Sequence, residues 1–316
     1  MTGLGDRLIC LGAAWLFARQ TGRVLVADWR YGAYATDSEP SAFPRFFEAA
    51  PELAGVRFVA DPSTTELELP RPRYPAMWNN DRLITYPFLR PDHTILADRD
   101  AAVAMIRSGE DVAARTVVFD ACINDGLVSV ADSRRFLAAL RPLPQIEKAM
   151  KEFRRERFGD DPMIGIHIRH GNGALTGHAA YWDSFEAALA RCERAVHRAR
   201  EQIGATVPVL LCTDSPDVER AMCERVAGIV ARPKAFLAPG EGELHVGGHS
   251  IHTRDDATVE MVLLAGSSAL IRYPPGSFFS FYSAVMMPRR TPPPETVYQL
   301  QEPWDPSDPL APAILI

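Results

Sequence analysis

The sequence lacks several features that define whole classes of protein. No apolar run reaches the ~18 residues of a transmembrane helix, so we expect no segment that crosses a membrane. No positively charged stretch followed by an apolar one opens the chain, which predicts a cytoplasmic protein without a signal peptide. The net charge is −6, whereas proteins that bind nucleic acids generally carry an excess of positive charge, so the charge argues against general nucleic-acid binding.

Motifs for metal and nucleophile chemistry are also missing. The 5 cysteines include no Cys-x-x-Cys pair, and several lie in apolar patterns, which predicts buried free thiols in a reducing compartment. The sequence has no Walker loop, no Gly-x-Ser-x-Gly elbow and no His-Glu-x-x-His motif. His245, His249 and His252 lie in a glycine-rich run without an evident fourth zinc ligand, so we predict a loop there.

Alternating strand and helix patterns predict an α/β fold. The length of 316 residues suggests two domains. We expect an N-terminal α/β domain over 1–155 and a C-terminal domain with a tail over 156–316, with a cleft between them. In the second half, strand and helix alternate four times, which is typical of a parallel, doubly wound sheet. The predicted strands cover 163–168, 207–212, 229–231 and 269–272.

The predicted helices of the second half have recognisable start signals. Asp183 is expected to cap a helix that runs to Ile203, and Ser215 followed by Pro216 is expected to start the next one. The last helix is expected to begin at Ser277. In the first half, a helical pattern from Leu4 ends near a glycine, while residues 30–115 are irregular.

The segment Ile164–Gly173 is the most informative one for function. It begins as an apolar strand, carries His167 and Arg169 on its other face, and continues at once into a glycine-rich turn. In open α/β sheets, ligands bind outside the carboxyl ends of the strands. A guanidinium there, beside glycines that allow close approach of the backbone, suits a phosphate. The alternatives are an arginine paired with a core carboxylate and a histidine in a polar core niche.

Two further segments end strands in the same way. Asp214 follows an apolar strand and could accept a hydrogen bond from a sugar hydroxyl or a base, or it could simply cap the next helix. Gly276 and Ser277 follow a Pro-Pro pair at the predicted start of the last helix, where free N–H groups attract phosphate. A helix cap without a ligand is the alternative there.

Taken together, these segments resemble a known family. The chain is similar to the rhizobial nodulation fucosyltransferase (NodZ) family and, more distantly, to eukaryotic α-1,6-fucosyltransferases. The matching segments are GLGDRLICLGAAWLFARQTGRVLVADWR, TVVFDAC, IGIHIRHGNG, GHAAYW, LLCTDS and ATVEMVLLAGSSALIRYPPGSFFSFY. The resemblance implies a GT-B-like fold, with two Rossmann-like domains facing a central cleft. It also implies GDP-fucose as donor, no metal, and an acceptor ending in N-acetylglucosamine, such as a chitin oligosaccharide.

The resemblance also implies roles for individual residues. Arg169 matches the family's essential arginine at the β-phosphate, and His167 matches its nucleotide-contacting histidine. Glu260 falls where relatives place an acidic residue near the nucleoside, and Ser277 falls near their phosphate contacts. For an inverting transfer, Arg169, the N–H groups of the loop and the start of the last helix would stabilise the departing diphosphate. The loop residues in question are Gly171, Asn172 and Gly173.

The chain departs from the family at two places. Nodulation enzymes carry Glu after Gly-Asn-Gly, where this chain has Ala174, and His170, His178 and Asp183 are unranked substitutes as catalytic base. The chain also begins inside the glycine turn, where relatives have a strand first, so either the start is truncated or the N-terminal sheet lacks that strand.

Aromatic residues and competing functions complete the expectations. Trp78, Tyr181 and Trp182 could stack on sugars, with core packing as the alternative.

The competing functions are a GDP-sugar transferase with another acceptor, a non-catalytic nucleotide-sugar binder, and an unrelated α/β protein.

Overall fold

The chain divides into two compact units, Met1–Leu143 and Pro144–Ile316. The computed structural model describes residues 3–30, 34, 41–60, 69–81, 93–120, 122–123, 126–171, 182–238, 250–288 and 294–316. The first unit ends at residue 143, whereas the sequence suggested residue 155. Within the described ranges, no helix is both long enough and apolar enough to cross a bilayer.

The first unit combines helices with two small sheets. Its helices are α1 (Leu4–Thr21), α2 (His93–Ser108) and α3 (Val130–Ala139). Its strands are β1 (Leu25–Val26), β2 (Glu52–Leu53), β3 (Val56–Val59), β4 (Arg73–Tyr74) and β5 (Thr116–Val117). They form one sheet in the order β1-β3-β2 and a separate parallel pair, β4 and β5. Helix α1 ends at Gly22, whose φ of 71° lies in the left-handed region that glycine adopts most readily.

The second unit is built on a five-stranded sheet in the order β10-β9-β6-β7-β8. Its strands are β6 (Ile164–Ile168), β7 (Val209–Thr213), β8 (Ile229–Ala231), β9 (Ala269–Tyr273) and β10 (Ala313–Leu315). Its helices are α4 (Pro144–Arg157), α5 (Phe185–Ile203), α6 (Pro216–Arg225), α7 (Ser250–Ala265) and α8 (Phe281–Met286). Strands β6 to β9 are parallel, and β10 runs antiparallel to β9 at the edge. The predicted α/β class and the four predicted strands are confirmed.

Both faces of β6 are covered, and this explains the apolar run in the sequence. Ile164, Ile166 and Ile168 are wholly buried against residues of α5 and α6. Burying one such side chain contributes about 1.5–3 kcal/mol. Because side chains alternate along a strand, Gly165 and His167 face the other side, where α7 packs. The sheet therefore fixes the position of whatever follows Ile168.

Two predicted helix starts are wrong. Ser184, not Asp183, caps α5, and its hydroxyl accepts a hydrogen bond from the backbone of Ala187 at 3.1 Å. The last helix, α8, begins at Phe281 rather than at Ser277. The predicted start at Ser215 is confirmed, since its hydroxyl accepts from the backbone of Val218.

The five cysteines all lie in described residues, and none of them forms a disulfide. Cys192 and Cys212 are fully buried, as the apolar patterns predict, and burial raises the pKa of both thiols. They are therefore neutral packing residues.

Candidate functional site

The predicted site residues follow the carboxyl ends of neighbouring parallel strands. In register, His167 of β6 lies beside Cys212 of β7 and Arg272 of β9. Arg169 and Asp214 both come immediately after these strands, so they meet at one edge of the sheet. This is the edge at which open α/β sheets bind ligands.

Asp214 is the centre of the hydrogen bonding at this edge. Its Oδ2 accepts from Arg169 Nη1 at 2.5 Å and from the backbone N–H of Gly171 at 2.9 Å. Its Oδ1 accepts from the backbone N–H of His170 at 2.8 Å. Hydrogen bonds to a charged group contribute about 1.5–3 kcal/mol each. A single carboxylate thus fixes both the guanidinium and the first residues of the glycine turn.

These contacts change the interpretation of three predicted site residues. The interior carboxylate that the sequence left as an alternative partner for Arg169 is Asp214 itself. Asp214 engages the loop through both oxygens, which gives it a positioning role, and its expected contact with the ligand stays a prediction. The N–H of Gly171 points to Asp214 instead of toward a phosphate. Arg169 carries five N–H donors, so its contact with Asp214 leaves others for further partners.

The backbone of Arg169 is held on both sides. Its N–H donates to the carbonyl of Tyr273 at 2.8 Å, and its carbonyl accepts from Trp182 Nε1 at 3.2 Å. The Trp182 ring packs edge-on against Tyr273, with centroids 5.5 Å apart. Trp182 is therefore a packing residue that supports Arg169, and Trp78 is likewise buried, in the core of the first unit. Tyr181 lies outside the described residues.

His170 is enclosed by aromatic rings. Its ring centroid lies 4.6 Å from that of Trp182 and 5.7 Å from that of Phe185, in edge-to-face arrangements. Burial lowers the pKa of His170 below its ordinary value, although the nearby Asp214 carboxylate opposes this shift. The imidazole is therefore neutral at pH 7.

His167 occupies a packed position. It is 4% exposed, and its ring lies 4.7 Å from that of Phe279, with the planes inclined by 31°. This is the polar core niche that the sequence offered as the alternative for His167, and its contact with a nucleotide stays a prediction.

Glu260 has a partner that sequence reasoning missed. Lys234, which follows β8, places its Nζ 2.5 Å from Glu260 Oε1, and both side chains are almost fully buried. Burial alone would lower the pKa of Lys234, but the Glu260 carboxylate raises it above its ordinary value. The apolar neighbours of Glu260 on α7, Val259 and Met261, were a signal that this carboxylate needs a buried cation.

The loop that contains Gly276 and Ser277 is held by a second residue that the prediction missed. Arg272, 1% exposed, donates from Nη2 to the carbonyl of Ser277 at 2.7 Å and from Nε to Ser280 Oγ at 2.9 Å. It also donates to the carbonyl of Leu300. Because α8 begins only at Phe281, Ser277 does not lie at a helix N-terminus, contrary to the prediction.

Of the remaining residues considered as catalytic base, Asp183 is described by the structure and His178 is not. Asp183 forms a two-pronged ion pair with Arg191, at 2.8 and 3.1 Å, and this pairing lowers the pKa of the Asp183 carboxyl. A carboxylate with a lowered pKa is a weak base. Asn172, Gly173, Ala174 and His178 lie outside the described residues. The side chains of the histidine run around 245–252 also lie outside them.

The identity of the chain follows from comparison with known proteins. The sequence model of nodulation protein Z (NodZ) matches residues 1–292. The chain belongs to the NodZ family. It is 38% identical over 290 residues to nodulation protein Z of Bradyrhizobium diazoefficiens, and that alignment covers 91% of this chain and 78% of the relative. It is 34% identical over 290 residues to the nodulation protein Z of Sinorhizobium fredii, and that alignment covers 91% of this chain and 89% of the relative.

Solved structures agree with the NodZ assignment. A crystal structure of NodZ α-1,6-fucosyltransferase soaked with GDP-fucose aligns with a TM-score of 0.74 and 31% identity, over 91% of this chain and 90% of that one. POFUT1 in complex with GDP-fucose shares the fold alone, at a TM-score of 0.53 and 12% identity, over 94% and 95% of the two chains. The resemblance and the fold class that we expected are thus confirmed. Among the described residues of this NodZ relative, no group of three or more His, Cys, Asp or Glu is placed to hold a metal ion.

Proposed function

We propose that this NodZ family member transfers fucose from GDP-fucose, with inversion and in an α-1,6 linkage, to an oligosaccharide that contains N-acetylglucosamine. Chitin oligosaccharides and Nod-factor-like molecules are the acceptor class. The observation that carries the proposal is the arginine fixed at the sheet edge in a chain similar over its length to a GDP-fucose-soaked fucosyltransferase. We place the enzyme in the GT-B type and in the cytoplasm.

In this proposal, Arg169 is the main electrostatic catalyst. Inverting transfer passes through an oxocarbenium-like state while negative charge grows on the departing GDP. Arg169 neutralises that charge without a metal ion, and Asp214 and the Tyr273 carbonyl hold it in place beforehand. Removing one such pre-oriented donor typically lowers the rate about 10²–10³-fold.

The second unit is the proposed donor-binding domain, and the first is the proposed acceptor-side domain. Arg169 and Gly173 approach the diphosphate, together with Gly276 and Ser277, while His167 and Glu260 approach the nucleoside. The resemblance supports these roles, and Arg272 supports them indirectly, because it fixes the loop that contains Ser277. Asn172 is proposed to act beside Arg169.

Mass spectrometry of the acceptor tests the proposal. Purified protein is incubated with GDP-fucose and chitin oligosaccharides, and the masses of the products are measured to detect the addition of one deoxyhexose. We expect the addition with the wild type and with Arg155→Ala, a change of an exposed arginine on α4, but not with Arg169→Ala. Near-wild-type turnover by Arg169→Ala would overturn the role of Arg169.

A second candidate is a non-catalytic nucleotide-sugar binder, which the replacement of the relatives' Glu by Ala174 favours. It predicts heat of binding when GDP is titrated into the protein, without release of GDP from GDP-fucose in the presence of acceptor. Release of GDP that depends on acceptor contradicts it.

A further inference from the structure

The two nitrogens of the His170 ring lie in different surroundings. Nδ1 is sealed from solvent and has no hydrogen-bond partner in the part of the chain that the structure describes. The rings of Trp182 and Phe185 border the imidazole. Nε2 is not one of the buried atoms that lack a partner, and the ring makes no hydrogen bond to any described residue. The polar group that anchors this residue is its backbone N–H, which donates to Asp214.

This asymmetry decides where the single proton of the neutral ring lies. A neutral imidazole has one N–H and one unprotonated nitrogen. A buried N–H without an acceptor is rarer and costlier than a buried acceptor without a donor. Nδ1 is therefore the unprotonated nitrogen, and Nε2 carries the proton.

The charges around the ring keep it neutral. Arg169 disfavours a second positive charge, while Asp214 and Asp217 favour one. Asp214 already accepts three hydrogen bonds, one of them from Arg169, so its charge is largely neutralised. Burial is the largest influence and keeps the pKa of His170 below its ordinary value. Protonating Nδ1 would create a buried N–H without a hydrogen-bond acceptor.

We infer that His170 acts as a neutral hydrogen-bond donor, through Nε2–H, toward an anionic oxygen of the ligand held beside Arg169, and not as the catalytic base. A base needs a lone pair on the side facing the acceptor, and Nε2 offers a proton instead. The ligand side of this inference rests on the proposed function, whereas the position of the proton does not.

The proton position is measured directly by NMR of the full chain with ¹⁵N-labelled histidine. The His170 signals are assigned by their loss in His170→Gln. At pH 8, where the ring is neutral, we expect Nε2 to show the shift of a protonated nitrogen and Nδ1 that of an unprotonated one. A protonated Nδ1, as an N–H pointing at the face of Trp182 would give, overturns the inference.

Two substitutions test the donor role in the transfer assay. The amide nitrogen of Gln reaches the region of Nε2 and can donate but cannot act as a base, whereas Asn is too short to reach it. We expect His170→Gln to keep transfer within about tenfold of the wild type and His170→Asn to lose about 10²-fold or more. Equal loss in both variants, with both folded by thermal melting, overturns the donor role. Absence of transfer by the wild type counts against the proposed function, and the NMR result then still decides the proton position.

Discussion

At the scale of single residues, the site depends on one carboxylate. Asp214 orients the guanidinium of Arg169 and also holds the backbone of His170 and Gly171. Both members of the ion pair are close to fully buried, with side-chain exposures of 12% and 8%. Loss of one partner would leave the other as a buried, uncompensated charge.

We therefore expect Asp214→Asn to destabilise the protein by about 3–5 kcal/mol. The amide cannot present two acceptor oxygens, so at least one N–H of the loop loses its partner. Chemical denaturation measures the change, with Asp217→Asn as the matched control, because Asp217 pairs with Arg220 at the surface. Equal stability of the two variants would refute the central position given to Asp214.

The sequence predicts which residues gather at this edge but not how they pair. Parallel strands place Arg169 and Asp214 at the same edge, and this follows from the strand pattern alone. That Asp214 turns back to the 169–171 loop depends on directions set by the folded chain, across 45 residues of sequence. The partner of Glu260 was missed for the same reason, because Lys234 lies in a segment without a strong pattern.

At the scale of elements, close packing of α7 and the residues after it against β6 leaves no room for a side chain at position 165. A Cβ on Gly165 would lie 2.3 Å from Ser267 Oγ and 2.9 Å from Leu264 Cδ2. Both neighbours are themselves buried, so the contact cannot be relieved by a move into solvent. The glycine is thus explained by close packing of the strand.

Gly165→Ala should destabilise the protein by about 1–3 kcal/mol through overpacking. Adding Ser267→Ala removes the nearest atom and should recover part of that loss, since the contact with Leu264 Cδ2 remains. Thermal unfolding of the single and double variants measures both effects, with Ser267→Ala alone as control. A single variant as stable as the wild type would show that the helix and strand are less closely packed than described.

The buried ion pair between Lys234, which follows β8, and Glu260 of α7 gives a second prediction at this scale. Lys234→Met leaves the Glu260 carboxyl buried without its partner, and because burial raises its pKa the carboxyl then either stays as an uncompensated charge or takes up a proton. The loss should reach up to about 3–5 kcal/mol of stability. Lys234→Met combined with Glu260→Leu replaces the pair by apolar side chains and should recover most of that stability. Denaturant titration distinguishes the two. If the double variant is no more stable than the single one, the ion pair is not the source of the loss.

Element types were predictable, but some boundaries were not. The alternation of apolar strands and amphipathic helices predicts β6 to β9 and the helices between them. The start of α5 was wrong by one position because Asp183 and Ser184 are both good capping residues, and Asp183 is taken by Arg191. The start of α8 was wrong because Arg272 holds the chain at Ser277 in a non-helical turn.

At the scale of the whole molecule, the C-terminal tail is tied to the second unit by arginine. Arg191 of α5 pairs with Asp183 and also, at 2.7 Å, with Asp308 of the tail. The pKa of the Asp183 carboxyl is lowered by Arg191. A carboxyl with a lowered folded-state pKa adds stability above its unfolded value, and that stability is lost as the pH falls through the folded value.

We accordingly expect Arg191→Gln to lower the melting temperature at pH 7. This difference from the wild type should begin to shrink below about pH 3.8, the ordinary pKa of the group, and disappear only below its lowered folded-state pKa. The effect at neutral pH is modest, since Asp183 is solvent-exposed. Calorimetric melts of both proteins from pH 7 to pH 3 measure it. A difference that stays constant with pH would contradict an ionic origin.

The account as a whole depends on Arg169 recognising a diphosphate, which comparison of GDP with GMP tests most directly. Calorimetric titration should show the wild type binding GDP about 10–100-fold more tightly than GMP, the value of one charge-assisted contact with the terminal phosphate. In Arg169→Ala this preference should largely disappear, while GMP affinity stays unchanged. A preference for GDP that survives the loss of Arg169 would contradict the account.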